Sequence, residues 1–402
     1  MVIKHIQKKN DVIKKTLLRF CFLFLIITIL VSKDKNLDSA VLANDLPLVK
    51  QLISQGKSIN KKDIQGFSAL MIASKNGYFD IAKLLIENGA NVNAINTKFE
   101  TPLMHATANG HLDIIKLLVE NGAKINAKAF GYDALYMTYK FRYELRNYYY
   151  QEKKQYEMVK YLIEHGAKLN NRYYYGETLL MRFANKGNYP VVKLLVEKRA
   201  DINIADRHGD TPLTAAADRN YLDIVKLLIN NGAKLNKKYN WTDLIIASIK
   251  GDFQKVQESI KNGANINEVT KNGMSPLMYA SALGYGDTVK LLIENKANIN
   301  QKSKNKRTAL INASIFGNSQ IIEFLLQQNA NINSVDNWGK SGLMYACENN
   351  HLEVAKLLIE NGADINLQDR IEMTALSYAK DAKNKELIEL LLQSQRGTEE
   401  QK

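Results

Sequence analysis

Residues 84–93 read LLIENGANVN, and close copies of this stretch return along the chain. The copies include LLVENGAKIN at 117–126, LLINNGAKLN at 227–236 and LLIENGADIN at 357–366. Most copies lie 33 residues apart. A fixed period of this length is typical of a solenoid, in which each small unit buries its apolar face only against its neighbours. The sequence therefore predicts a stack of similar units.

A capping residue recurs at one position of the unit. Such a residue accepts a hydrogen bond from a free N–H in the first helical turn, so each copy predicts the start of a helix. Proline follows directly in three units, at the first helical position where it is tolerated. The capping residues are Ser68, Thr101, Thr178, Thr211, Thr242, Ser275, Thr308, Ser341 and Thr374, with Asp133 in a tenth unit.

Two further positions predict how each unit ends. Glycine closes most of the second helices, as at Gly89 and Gly122, where a left-handed residue is needed. Arg199 and Lys296 take this position in two units, and we expect them to be left-handed as well. An asparagine follows in the loop of every unit. A residue that every unit needs belongs to the scaffold, because a catalytic residue is needed only once.

The segments Thr101-Pro102-Leu103-Met104-His105-Ala106 and Asp206–Leu213 resemble the opening motif of the ankyrin-repeat family. The resemblance covers residues 36–395 and implies an all-α helical solenoid with short β-hairpin loops and about eleven units. The first unit, 36–62, lacks the hairpin and reads as a cap. Residues 396–402 form a polar tail.

Two units depart from the period. The unit at 128–172 is enlarged by about 11 residues, and 12 of the 20 tyrosines of the chain lie at 132–175. Two interpretations of these tyrosines are open: they pack inside the enlarged unit, or they form a binding site for a partner. The unit after residue 237 lacks the hairpin glycine, which predicts a bend in the stack near residue 238.

The leader, residues 1–35, has eight Lys and Arg against two Asp, and it contributes much of the net charge of +14. Its apolar run, 20–31, is shorter than the ~20 residues that a membrane helix needs and fits the core of a signal peptide. An uncleaved membrane anchor is the close alternative, with membrane contact through 20–31. Either one predicts that the repeats are exported, and a cytoplasmic protein is the alternative.

No catalytic constellation, cofactor motif or metal-ligand spacing is present in the sequence. Cys21 lies in the apolar leader and Cys347 in a repeat helix, so we do not expect a disulfide bond between them. His105, His111 and His351 occupy structural positions of the ankyrin consensus. Outside the leader the positive charge is mild and forms no dense stripe, so a nucleic acid is not an expected partner.

The resemblance implies that hairpin tips and the inner face of the first helices bind a protein partner. We therefore predict a non-enzymatic, monomeric protein-protein interaction scaffold. The alternative is an envelope or periplasmic factor that protects a partner enzyme. The predicted partner-binding residues are Phe67, Phe130, Tyr132, Lys140, Phe141, Tyr174, Tyr175, Lys186, Arg207, Trp241, Lys271, Arg307, Phe316 and Trp338.

Overall fold

A computed structural model of the chain describes residues 36–140, 148–235 and 239–399. The leader with its apolar run at 20–31, the predicted site residue Phe141 and the end of the polar tail lie outside the described residues. Within the described ranges, no helix is long and apolar enough to cross a membrane. The residues up to Tyr174 form one compact unit and those from Tyr175 form another, which we call the N-terminal and C-terminal bodies.

Both bodies are all-helical in the part of the chain that the structure describes, as the sequence predicts. The N-terminal body contains α1 Leu37–Leu42, α2 Leu46–Ser54, α3 Ala69–Asn76, α4 Phe79–Glu87, α5 Pro102–Ala108, α6 Leu112–Glu120, α7 Ala134–Lys140 and α8 Tyr148–Glu164. The C-terminal body contains α9 Leu179–Lys186, α10 Tyr189–Glu197, α11 Pro212–Asp218, α12 Leu222–Asn230, α13 Asp243–Lys250, α14 Phe253–Lys261, α15 Pro276–Leu283, α16 Gly286–Glu294, α17 Ala309–Phe316, α18 Ser319–Gln327, α19 Gly342–Glu348, α20 Leu352–Glu360, α21 Ala375–Asp381 and α22 Lys385–Glu399.

The predicted N-caps are confirmed. The Ser68 hydroxyl accepts the N–H of Met71 at 3.3 Å, and the other hydroxyl caps do the same for the residue three positions on. Asp133 replaces the hydroxyl with a carboxylate, which accepts the N–H of Tyr136 at 2.8 Å. Each cap typically stabilises its helix by about 1 kcal/mol.

The first helix of each unit packs on the first helices of its neighbours, as α3 does on α5 and α5 on α7. Alanine at the contact allows close approach of these helices, and Ala73, Ala106 and Ala280 are fully buried there. The second helices are amphipathic and bury one apolar stripe. Each body therefore has a continuous core made of short, similar segments.

The loop asparagines join successive units, which is more than the scaffold role that the sequence predicts for them. The Asn93 amide donates to the carbonyl of Gly122 at 3.0 Å and accepts the N–H of Lys124 at 2.7 Å. Asn60 makes the same pair of hydrogen bonds with Gly89 and Asn91. Each such side chain satisfies a carbonyl and an N–H of the next loop, which is why the residue recurs.

The ends of the second helices are left-handed, as predicted. Gly89 and Gly122 have φ of 86° and 84°. Arg199 and Lys296 have φ of 63° and 66°, so the prediction for these two residues is confirmed. Asn329 occupies the same position with φ 61°, and the sequence interpretation missed it.

The predicted hairpins are present only as tight tips. Within the described residues the sole ladder contacts are single bridges at Lys62–Ser68, Ala129–Tyr132 and Val335–Ser341. Backbone hydrogen bonds connect neighbouring tips inside each body, for example from Thr97 N–H to the Gln65 carbonyl at 3.1 Å. The bend near residue 238 stays a prediction.

Candidate functional site

The first feature of the candidate site is the tip that holds Phe99. The Asn96 carboxamide oxygen accepts the N–H groups of Lys98 and Glu100, both at 2.9 Å, and closes the tip. This turn leaves Phe99 with φ 61°, at the position that Gly66 and Gly209 occupy in other tips. The Phe99 ring points outward and is 54% exposed.

The next tip repeats this arrangement with a tighter turn. Ala129 and Tyr132 exchange backbone hydrogen bonds of 2.8 and 2.9 Å around Phe130, whose φ is 50°. The Phe130 ring is 72% exposed and meets the Phe99 ring edge to face. A left-handed conformation costs a residue with a side chain roughly 1–2 kcal/mol. The N-terminal body thus keeps two left-handed residues with exposed rings that contact each other.

Exposed apolar side chains stand on four successive tips of the N-terminal body. Ile64 is 98% exposed, and Tyr174 is exposed on the last of these tips. We call Ile64, Phe99, Phe130 and Tyr174 the tip ridge. Scattered apolar residues are normal on a surface, but exposed apolar side chains that contact one another, as Phe99 and Phe130 do, are typical of an interaction site.

Two rings of the tyrosine cluster at 132–175 belong to the core. Tyr136 and Tyr173 are buried with ring centroids 4.5 Å apart, and the Tyr173 hydroxyl donates to the Asp133 carboxylate at 3.0 Å. Burial, followed by the Asp133 charge, raises the pKa of Tyr173. Tyr132 is half-buried and stacks on Tyr136 at 4.4 Å. Tyr136 and Tyr173 therefore pack inside the enlarged unit, and Tyr132 lies at the border of the cluster.

Two of the other predicted site residues of the N-terminal body contact aromatic rings. Lys140 is exposed, and its ammonium group lies 4.7 Å from the centre of the Tyr132 ring. Phe67 is half-buried against His105, with 5.0 Å between ring centroids. Burial lowers the pKa of His105, which favours the neutral ring expected of a packing residue.

In the C-terminal body several predicted residues are already engaged. Trp241 is half-buried and stacks on Tyr239 at 5.9 Å. Lys271 lies 4.8 Å from the Tyr239 ring and 3.9 Å from the Asp218 carboxylate. The Tyr239 hydroxyl donates to the Thr214 carbonyl at 3.2 Å. Tyr239 therefore also connects α11 to the following unit.

Arg307 is another residue that already contacts neighbouring side chains, and it is half-buried. It donates to the Tyr345 hydroxyl at 2.9 Å and lies 3.5 Å from the Asp336 carboxylate. The Tyr345 hydroxyl in turn donates to Asp336 at 2.6 Å. An aspartate from the tip, a tyrosine from the first helix and a cation thus form one network.

The remaining predicted residues differ in exposure. Lys186 is half-buried at the end of α9, while Tyr175 and Arg207 are exposed and joined by a backbone hydrogen bond of 2.9 Å. Phe316 is exposed at the end of α17. Trp338 is 66% exposed on its tip. The sequence interpretation missed the exposed residues Ile64, Phe99 and Ile371. A phenylalanine in the place of a tip glycine is the signal that identifies Phe99.

The enlarged unit forms a cleft on another face of the N-terminal body. The helix α8 has 17 residues against nine in α6, and its extra turns border a cavity of about 330 Å³. Its lining combines Lys153 and Lys154 with Asp113 and Glu157 around Phe79 and His111. Opposite charges thus face the same space, so the lining favours neither anions nor cations.

Within the described residues no group of His, Cys, Asp and Glu could hold a metal ion. Burial raises the pKa of the Cys347 thiol to about 12, which keeps it protonated and unreactive. His111 packs on Gly77, and its Nε2–H donates to the Lys75 carbonyl at 3.1 Å. His351 donates in the same way to the Ile315 carbonyl at 3.0 Å. The structural reading of these two histidines is therefore supported by their contacts.

Comparison with known proteins agrees with this geometry. A family model of ankyrin repeats, three copies long, matches residues 37–129, 148–239, 244–336 and 328–401. No curated protein matches the chain. Proteins built from such repeats are typically non-enzymatic and bind protein partners. Since the matches cover well over half of the sequence and the described helices follow the same pattern, the chain belongs to the ankyrin-repeat family.

Proposed function

We propose that the protein is a non-enzymatic scaffold that binds a partner protein through the tip ridge of its N-terminal body. The observation that carries the proposal is the pair Phe99 and Phe130. Each ring is exposed, and each residue has a left-handed backbone at a position of its tip where glycine would relieve the strain.

Left-handed residues with a side chain also stand on other tips, as at Lys306 and Glu372, so the backbone alone does not identify a site. At Phe99 and Phe130 the same backbone is combined with a large exposed ring, and strain at such a residue persists where it is needed for something other than stability. An exposed ring gains little from folding, so the contact between the two rings offsets only part of the free-energy cost of the left-handed backbone at Phe99 and Phe130. A partner that covers both rings would offset the rest of this free-energy cost, because buried aromatic side chains dominate the energy of protein interfaces. The edge-to-face contact between the rings fixes their orientation before binding and lowers the entropy that binding loses.

The experiment is affinity capture from the native source with the full chain as bait. One bait has Phe99→Gly and Phe130→Gly, which remove the rings and relieve the backbone. The matched control is Arg199→Gly, which relieves a left-handed residue at a helix end and leaves the ridge intact. We expect the control to retain the partner that the wild type captures and the ridge variant to lose it. Retention of that partner by the ridge variant would contradict the proposal.

We also propose that the repeats act outside the cytoplasm, as a single copy, after export by the leader. The support is the basic segment followed by the apolar run at 20–31. A reporter fused after residue 60 should be active only when exported, and replacing Leu25 and Ile26 with lysine should block its export. A reporter that stays in the cytoplasm would overturn this part of the proposal without affecting the ridge.

A further inference from the structure

The C-terminal body has a second exposed row on its tips, with a different chemistry from the tip ridge. Lys302, Lys304 and Lys306 are exposed, and residues 302–307 include four cations and no acid. On the following tips stand Trp338, which is 66% exposed, and Arg370 with Ile371, which is 74% exposed. We call Lys304, Lys306, Trp338, Arg370 and Ile371 the basic tip row.

Backbone hydrogen bonds hold this row in register. The N–H of Lys304 donates to the Asn272 carbonyl, that of Asn337 to Asn305 and that of Arg370 to Trp338, each at 2.9 Å. The Asn337 amide adds a bond to the Lys304 carbonyl at 3.0 Å. The side chains of the row therefore project from fixed positions of a continuous backbone network.

The cations of this row are available to a partner. Lys304 and Lys306 form no ion pair within the described residues, although the two following tips contain Asp336 and Asp369. Asp336 is buried and occupied by Arg307 and the Tyr345 hydroxyl. Asp369 is likewise engaged, since the Tyr378 hydroxyl donates to it at 2.5 Å. The carboxylates of Asp336 and Asp369 are thus buried and engaged, while the two lysines are exposed.

From this arrangement we infer that the basic tip row binds an extended acidic segment of a partner protein, an inference that rests on the proposed scaffold function. Packed helices lie about 8–10 Å apart, so successive tips have nearly that spacing. An extended chain advances about 3.3 Å per residue, so side chains three positions apart span about 10 Å. Six positions span about 20 Å, which is the distance of two tips, so acidic side chains six positions apart can reach the tip of Lys304 and Lys306 and the tip of Arg370 while an apolar side chain midway lies against Trp338.

A continuous polyanion fits the row less well. Glu372 is exposed directly beside Ile371, and Glu348, which pairs with Lys340 at 2.8 Å, is partly exposed at the end of α19. Nucleic acid or an anionic bilayer would place negative charge against both glutamates. A peptide can place a neutral or basic residue there and acidic residues elsewhere, so the mixed signs favour a peptide.

The probe is a labelled synthetic peptide with two glutamates six residues apart and a leucine midway between them. A second peptide has the same composition with the glutamates adjacent. Fluorescence anisotropy with the full chain should show saturable binding of the spaced peptide, about tenfold tighter than the clustered one and weaker at high salt. Equal affinity for the two peptides, or binding of neither, would overturn the inference.

Variants locate the site. Lys304→Ala with Lys306→Ala, and separately Trp338→Ala, should weaken the spaced peptide about tenfold. The matched control is Lys193→Ala with Lys290→Ala, which removes the same charge from exposed positions on second helices and should leave affinity unchanged. An equal loss of affinity in the control variant would mean that only the net charge of the protein matters, and it would contradict the inference.

Two further arms test the other partner classes. A single-stranded oligonucleotide or phosphatidylserine vesicles that bind the row more tightly than the spaced peptide would overturn the inference. The Phe99→Gly and Phe130→Gly bait should bind the spaced peptide normally, because those residues lie in the other body. If the spaced peptide does not bind while the full chain still captures its partner through the tip ridge, this inference is overturned and the proposed function is not.

Discussion

The ring of Phe99 meets the ring of Phe130 edge to face, with 6.0 Å between centroids and 85° between ring planes. Both residues have a left-handed backbone, with φ of 61° and 50°. An aromatic pair of this geometry contributes about 0.5–1.5 kcal/mol, which does not exceed the cost of two left-handed residues. The pair is thus better explained by recognition than by the stability of the free protein.

The backbone cost at Phe99 can be measured by comparing two substitutions. Phe99→Gly and Phe99→Ala both remove the ring and its contact with Phe130, but only glycine relieves the left-handed residue. We expect the glycine variant to have a free energy of unfolding about 1 kcal/mol higher than the alanine variant. Urea denaturation gives both values. Equal stability of the two variants would mean that the tip relaxes and that Phe99 is not strained.

The same reasoning applies to the ends of two second helices. Arg199→Gly and Lys296→Gly should each raise the free energy of unfolding by up to about 1 kcal/mol, because both residues are left-handed. The reverse control is Gly122→Ala, where an added Cβ meets open space and only the φ of 84° opposes it. This variant should lose a similar amount. Unchanged midpoints in all three variants would contradict the assignment of strain to these positions.

The asparagine bridges between units predict a local effect. Asn93→Ala removes one bond to the Gly122 carbonyl and one from the Lys124 N–H. We expect a loss of about 1–2 kcal/mol in the free energy of unfolding and faster hydrogen exchange at the Lys124 amide. Asn88→Ala is the control, because Asn88 bonds only within its own helix, to the Leu84 carbonyl. Similar exchange at Lys124 in both variants would argue against the bridge.

Two half-buried histidines predict a dependence of stability on pH. Burial lowers the pKa of His105 and of His111 in the folded protein. As the pH falls through about 6.5, the unfolded chain binds protons at these side chains that the folded protein resists, so the free energy of unfolding falls. His111→Gln removes one titrating group and should make this fall smaller. The measurement is urea denaturation of wild type and variant on both sides of that pH, and parallel curves would refute the prediction.

The repeated parts of the fold were predictable because each unit repeats the same local chemistry. A capping residue begins each first helix at Ser68, Thr101 and their equivalents, and glycine ends the second helices. A pattern present in so many copies gives a reliable register for every helix. The role of Asn93 was less visible, since its hydrogen bonds reach the next unit and depend on how the loops stack.

The candidate site was predicted only in part, because exposure depends on the turn that each tip adopts. Phe130 and Trp338 are exposed as expected, whereas Trp241 and Arg307 are engaged by neighbouring side chains. Phe99 was missed because nothing in its residue type indicates a left-handed backbone. Only the comparison of tips with one another, where glycine stands at the same position, gives that information.

The most direct measurement of the central claim is photo-crosslinking from the tip ridge in the native source. A benzophenone side chain replaces Phe130 in one full-length protein and Phe253, an exposed ring on a second helix, in another. We predict one dominant protein adduct from position 130, none from position 253, and loss of the adduct when Phe99→Gly is added. The same adducts from both positions, or none from position 130, would contradict the account.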